Sequence, residues 1–388
     1  MSAILFPVAV FVGGVAALLL IVADSAGGRL MGLAFVALCV GVELLPFALF
    51  PGGDPGYSEE EVVAFARWRA QARRRRIGPV LGVITMGFLA LTAAAMVSPP
   101  AEVSDLRPRP GLQTVWLGPA RPSRVELARL TPERDQMALA SWLMPFADPL
   151  FDLDQASRLR PAMRSIYAEM ANDPSYGRAA SVLGLAYGEL FGADGVTGQV
   201  FVDLPPGDGP FPALVFIHGF GGNALSYPWV LRRVAHAHGY AIVAPGYGAG
   251  LWYQDEGPAV VERALRWMAE SGRFDMDRVA LAGLSNGGFG VAAVLESRPW
   301  RGVAWLSAVL GPEDVEGITL GGPALILHGG ADDRIPVRFP SGAAERLRAQ
   351  GARVDLDVVP DADHFLLFTH RARVDAALER WFGAMESP

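Results

Sequence analysis

The stretch Arg278-Val279-Ala280-Leu281-Ala282-Gly283-Leu284-Ser285-Asn286-Gly287-Gly288 runs from an apolar segment straight into a Gly-x-Ser-x-Gly turn. It continues as the helix-forming run Phe289–Glu296. A strand that turns this sharply into a helix is a βα unit with the serine at its apex, the setting a nucleophilic serine needs. Glycines fit on either side because the turn leaves no room for side chains where the backbones pass. Outward from this unit the same alternation repeats. Apolar runs at Gln199–Leu204, Pro212–His218, Tyr240–Pro245, Gly302–Val309, Ala324–His328 and Val354–Val359 read as strands. Helical patterns at Trp229–His238, Ala259–Ser271, Gly342–Gln350 and Ala372–Phe382 separate them. Strands alternating with helices predict an α/β domain over residues 198–388, doubly wound around a mainly parallel sheet.

Three further segments join the serine. The strand ending at Ile217 opens into His218-Gly219-Phe220-Gly221-Gly222, a Gly-rich loop with no Gly-Lys-Ser/Thr after it, which excludes a P-loop. Its position suits an oxyanion hole, with the backbone N–H of Phe220 beside that of Asn286; His218, in the strand end, is expected to be structural. Past the strand at 324–328, His328-Gly329-Gly330-Ala331-Asp332-Asp333 places an acid beyond a strand end. The next strand leads to Asp361-Ala362-Asp363-His364. Ser285, Asp332 and His364 thus follow in the order Ser…Asp…His, with His364 as base and Asp332 as the acid that orients it. The run Leu251-Trp252-Tyr253 supplies Trp252 and Tyr253 as candidates to line an acyl pocket, with packing as the alternative. No cofactor and no metal are expected, and the lone Cys39 allows no disulfide framework.

With these motifs in place, residues 198–385 resemble the α/β-hydrolase superfamily, most of all its compact dienelactone-hydrolase-like and carboxylesterase branches. Dienelactone hydrolases carry Cys where this chain has Ser285. The resemblance implies a serine hydrolase acting on small-molecule or lipid carboxylic esters through an acyl-enzyme. A serine peptidase or an acyltransferase on the same three residues is the alternative within enzymes. A membrane sensor that binds ligand without turnover is the alternative outside them, and a complete Ser/His/Asp set argues against it.

The first hundred residues read differently. The chain is 388 residues long, 51% hydrophobic and 19% charged, and its apolar excess is concentrated before Val97. Residues 1–97 are expected to form a membrane region with transmembrane helices at about 4–22, 30–50 and 77–97, since about 20 apolar residues cross a bilayer. The first run could instead be a signal peptide, although it lacks a basic start. Between the second and third runs lie Arg67, Arg69 and Arg73–Arg76, and basic loops of this kind stay cytoplasmic. This predicts a multi-pass protein of the cytoplasmic membrane, in contact with the lipid bilayer, its catalytic domain extracytoplasmic. Glu43 within the second run is a candidate intramembrane polar site or a helix-end residue. Residues 98–197 read as a Pro-rich linker followed by a helical connecting segment, either a cap over the site or simple packing. All 33 basic residues are arginine, and after Val97 the chain carries 26 of them against 34 acids, which excludes a nucleic-acid partner.

Overall fold

The computed structural model describes residues 2–49, 79–94, 109–118, 131–177, 179, 181–190, 192 and 198–386. The chain divides into two compact units, 1–99 with 129–139, and 100–128 with 140–388.

In the first unit, helices α1 (Ser2–Val22) and α2 (Ala26–Leu49) form a hairpin, and residues 79–94 form α3. Leu19, Ala23, Met31 and Ala94 make its small core. The start of α2 is capped from a distant part of the chain: Asp135 Oδ1 accepts the amides of Asp24 (2.8 Å) and Ser25 (3.3 Å), and Ser25 Oγ accepts that of Gly28 (2.8 Å). Free N–H groups at a helix start are satisfied this way, and the carboxylate meets the positive end of the helix dipole.

The expectation of three transmembrane helices is overturned, since among the described residues no helix is long and apolar enough to cross a membrane. At 1.5 Å per residue the described part of α3, 79–94, covers about 24 Å against a hydrocarbon core of about 30 Å. The multi-pass placement in the cytoplasmic membrane, with an extracytoplasmic catalytic domain, falls with those spans. The arginine cluster at 73–76, on which the orientation rested, lies outside the described residues.

The second unit is built on an eight-stranded sheet: β1 (Gly111–Trp116), β2 (Gln199–Leu204), β3 (Phe211–Ile217), β4 (Ala241–Pro245), β5 (Phe274–Leu284), β6 (Val303–Leu306), β7 (Ala324–Gly329) and β8 (Val354–Val359). Their order is β1-β2-β4-β3-β5-β6-β7-β8. The sheet is mixed. β3 to β8 run parallel, while β2 is antiparallel to both β1 and β4. β1 lies inside the segment expected to be an extended linker, where the register from Gly111↔Leu204 to Trp116↔Gln199 pairs it along the whole of β2.

Helices α4 (Glu133–Ala147, its residues from Ala140 in this unit), α5 (Leu153–Ala171) and α6 (Leu183–Leu190) occupy the connecting segment. α5 begins at a capping box in which Asp152 and Gln155 exchange side-chain and backbone bonds, at 2.7 and 3.0 Å. Beyond β2 come α7 (Ser226–Ala237), α8 (Gly257–Ser271), α9 (Gly287–Val294), α10 (Arg338–Ala349), the short α11 (Leu366–Thr369) and α12 (Arg371–Glu386). Strand residues alternate between two buried faces. Val215 and Ile217 join Trp267 of α8, Val291 of α9 and Leu347 of α10 in one core, whereas Phe216 points the other way to the Tyr227 ring of α7, 5.6 Å distant. Apolar faces on both sides explain why these strands read as continuous hydrophobic runs.

Candidate active site

The four motif-bearing loops leave the carboxyl ends of β3, β5, β7 and β8. The registers Ile217↔Gly283 and Gly329↔Val359 hold those ends along one edge. The strand order reverses around β3 and β5, and in open α/β sheets the crevice outside such a reversal is where ligands bind.

At the apex after β5, Ser285 takes φ 51°, a left-handed conformation that costs a non-glycine residue energy. The neighbours make that turn possible. A Cβ on Gly283 would come 2.7 Å from the Gly287 carbonyl oxygen and from Val291 Cγ2, and one on Gly287 would meet the Ile217 carbonyl. The Ser285 carbonyl is tied down by the amides of Gly288 and Val309, both at 2.9 Å. Thus the turn is held by its surroundings and its side chain is left half-buried at the sheet edge.

His364, on the loop after β8, lies with Nε2 2.9 Å from Ser285 Oγ and Nδ1 2.8 Å from Asp332 Oδ2. An ionised carboxylate only accepts, so Nδ1 carries the proton and donates to Asp332, which leaves Nε2 to accept from the serine hydroxyl. Asp332 is buried, and its other oxygen accepts the amides of Arg334 and Ile335, both at 2.9 Å. His328 Nε2 donates to the Ile335 carbonyl at 2.7 Å and stands 3.4 Å from Asp332 Oδ2. Burial, the largest influence on Asp332, works to raise its pKa. The hydrogen bond and charge of His364, the Ile335 amide and His328 outweigh it and hold the carboxyl below the usual range. Neighbouring acids are engaged elsewhere: Asp363 with Arg158 (3.1 Å) and the Phe365 amide (2.9 Å), and Asp361 beside His370 (3.7 Å). Asp333 is exposed.

The loop after β3 packs directly against the serine, where a Cβ on Gly219 would lie 3.0 Å from Ser285 Cβ. The amide of Gly221 donates to Ala249 at 2.9 Å, whereas those of Phe220 and Asn286 meet no protein acceptor among the described residues. His218 is fully buried beneath this loop. Its Nδ1 donates to the Gly219 carbonyl (2.7 Å), its Nε2 accepts the Tyr247 amide (3.0 Å), and burial pushes its pKa down to about 4. It therefore serves the loop as a neutral imidazole.

The two aromatic residues expected at the acyl pocket part company. Trp252 is 1% exposed, its Nε1 donates to the His218 carbonyl at 2.8 Å, and its ring packs on His218 and Tyr247. It belongs to the core and has no surface to offer a ligand. Tyr253 is exposed and meets the Phe289 ring edge-on at 5.8 Å. The sequence reading missed a group of side chains from the connecting segment that reach the site loops, Asp148 to Arg334, Phe151 to Phe365 and Arg158 to Asp363. Pairings over such sequence distances leave no local signal.

No protein family and no curated protein matches the chain. Solved structures do share part of it. Esterase 2 of the planctomycete Thermogutta terrifontis, with butyrate bound, is similar over 47% of this chain and 86% of that one, at 18% identity and a TM-score of 0.39. The same esterase phosphorylated by paraoxon covers 47% and 85%, at 18% identity and a TM-score of 0.41. Est1E from Butyrivibrio proteoclasticus covers 48% and 93%, at 16% identity and a TM-score of 0.40. Likenesses at this level identify no family.

Proposed function

We propose that the chain is a serine hydrolase that cleaves carboxylic esters through an acyl-enzyme. The observation that carries this reading is the unbroken line of hydrogen bonds from Ser285 Oγ through His364 to Asp332, built on a left-handed serine at the end of a central strand. Ser285 Oγ attacks the ester carbonyl while His364 Nε2 takes its proton, and Asp332 stabilises the imidazolium. The oxyanion settles between the amides of Phe220 and Asn286, each worth about 3 kcal/mol of barrier. His364 returns the proton to the departing alkoxide. Water then attacks the acyl-enzyme with His364 as base again, which releases the acid and restores Ser285. The test is turnover of p-nitrophenyl esters of increasing acyl length, with aminoacyl anilides alongside. Ester cleavage that disappears in Ser285→Ala is expected. Cleavage of the anilides in preference to the esters would replace the esterase reading with a peptidase.

A further inference from the structure

The loops that carry Asp332 and His364 are both gripped from outside the β2–β8 sheet by one short stretch of chain, 148–158. At one end Asp148 pairs with Arg334, whose own amide donates to Asp332 Oδ1 at 2.9 Å. Asp148 also fixes its own turn by accepting the Leu150 amide at 2.9 Å. At the other end Arg158, on the first turns of α5, reaches Asp363 at 3.1 Å, beside His364. Between them the buried Phe151 meets Phe365 edge-on at 5.0 Å, and Phe365 stands edge-on to the His364 imidazole at 5.8 Å. The Arg334 guanidinium lies over the same Phe365 ring at 5.7 Å. Two charge pairs and one edge-on ring contact thus converge on the two groups that must stay aligned with Ser285. The capping box at Asp152 and Gln155 stiffens the stretch between the pairs. Burial works to raise the Asp148 carboxyl, but Arg334, the Leu150 amide and the charge of His364 hold it below its ordinary value, which sets Asp148 within the electrostatic reach of the imidazole.

We infer that residues 148–158 form a clasp that positions the Asp332 and His364 loops, with Asp148 and Arg158 as positioning residues acting through Arg334 and Asp363. The inference rests on the reading of Ser285, His364 and Asp332 as the catalytic groups. Both pairs are only partly buried, so each keeps some solvent screening and adds modestly to folding, and the clasp acts mainly on alignment. Misalignment of a catalytic base is felt in the chemical step and not in ground-state binding.

The experiment measures kcat per titrated active site and KM on a p-nitrophenyl ester, with Ser285 counted by a fluorophosphonate probe. Asp148→Asn combined with Arg158→Ala is expected to lower kcat per titrated site about tenfold, about 1.4 kcal/mol, with KM changed less than about twofold. Arg158→Lys, which keeps a cation near Asp363, should recover most of the Arg158→Ala loss. A stretch that only helped the chain to fold would lower the number of titrated sites and the melting temperature while each remaining site turned over normally. Unchanged kcat per titrated site in both Asp148→Asn and the double variant overturns the clasp alone. Failure of the wild-type protein to label at Ser285 overturns the catalytic reading and the clasp with it.

Discussion

Asp332 and Asp203 are both buried in the second unit, each within reach of a histidine ring, and their surroundings drive them in opposite directions. Asp332, at the carboxyl end of β7, has both oxygens supplied, one by two amides and the other by His364. Asp203, within β2, has one oxygen bound by Tyr176 (2.7 Å) and Arg232 (3.2 Å) while Oδ1 finds no donor among the described residues. His236 is near it, with Nε2 3.7 Å from Oδ1, but burial and the charge of Arg232 push that imidazole down to about 4, so it brings no charge. Burial raises Asp203 to about 6 in spite of Arg232 and Tyr176, whereas Asp332 is held low. A buried Asp next to a His is therefore no sign of chemistry by itself. What separates Asp332 is a full set of donors that keeps it ionised, and a serine hydroxyl on the far side of its histidine.

The largest test of this contrast is Asp332→Asn. Loss of the orienting acid is expected to lower kcat by about 10⁴, as in other such arrangements. Asp333→Asn, at an exposed neighbour, should cost less than about tenfold, as its turn would be the main thing disturbed. The reverse result would shift the acid by one residue.

The stability profiles should differ in sign. A carboxylate held below its unfolded value contributes stability above that value and loses it as pH falls, so Asp332 supports the fold at neutral pH and not in acid. Asp203 is raised. The unfolded chain ionises it first, and stability declines as pH rises from about 4 to 6. Asp203→Asn removes that decline, roughly 2 kcal/mol over this window, and should leave kcat per site within about twofold. Urea unfolding at pH 4, 5 and 6.5 measures it. Equal slopes for wild type and Asp203→Asn would show that Arg232 fully neutralises the buried charge.

The smallest effect concerns His238, which sits between Glu379 (2.9 Å) and Glu386 (2.8 Å). Burial works against its proton, but the two glutamates raise its pKa. Its support is present below about pH 6.5 and is lost as pH climbs through the raised value. His238→Gln should cost less than about 1 kcal/mol at pH 6 and nothing measurable well above it, because the pair is partly exposed. The His238 ring also stacks on Phe382 at 5.4 Å, and a loss of equal size at both pH values would mean that this packing, not charge, is what the ring contributes.

What could be read from sequence follows how local each feature is. The strand at Gln199–Leu204 has the bounds its apolar run indicates, because burial on two faces writes itself into consecutive residues. The half-buried edge strand Val354–Val359 also keeps its expected bounds, with Asp355 and Asp357 alternating with apolar residues. The elbow at Ser285 was legible since its glycines are demanded by contacts within a few residues or with the adjoining strand. β1 was hidden in a Pro-rich stretch, as its pairing partner β2 lies some ninety residues away. Trp252 was a pocket candidate because the aromatic run Leu251-Trp252-Tyr253 follows the strand ending at Pro245, and nothing in the sequence shows that its indole turns inward to the His218 carbonyl. The apolar runs before Val97 were read as spans from sequence length and hydropathy, but among the described residues no helix is long and apolar enough to cross a membrane. Asp135 capping α2 from across the first unit, and Arg158 reaching Asp363, depend on the finished fold and leave no mark in the sequence.

The central claim is that Ser285 is the nucleophile, and it is tested most directly by reacting the wild-type protein with a fluorophosphonate and mapping the adduct by mass spectrometry. The account predicts one adduct per chain, on Ser285, formed far more slowly in His364→Ala and not at all in Ser285→Ala. An adduct on another residue, or equal labelling of Ser285→Ala, would contradict it.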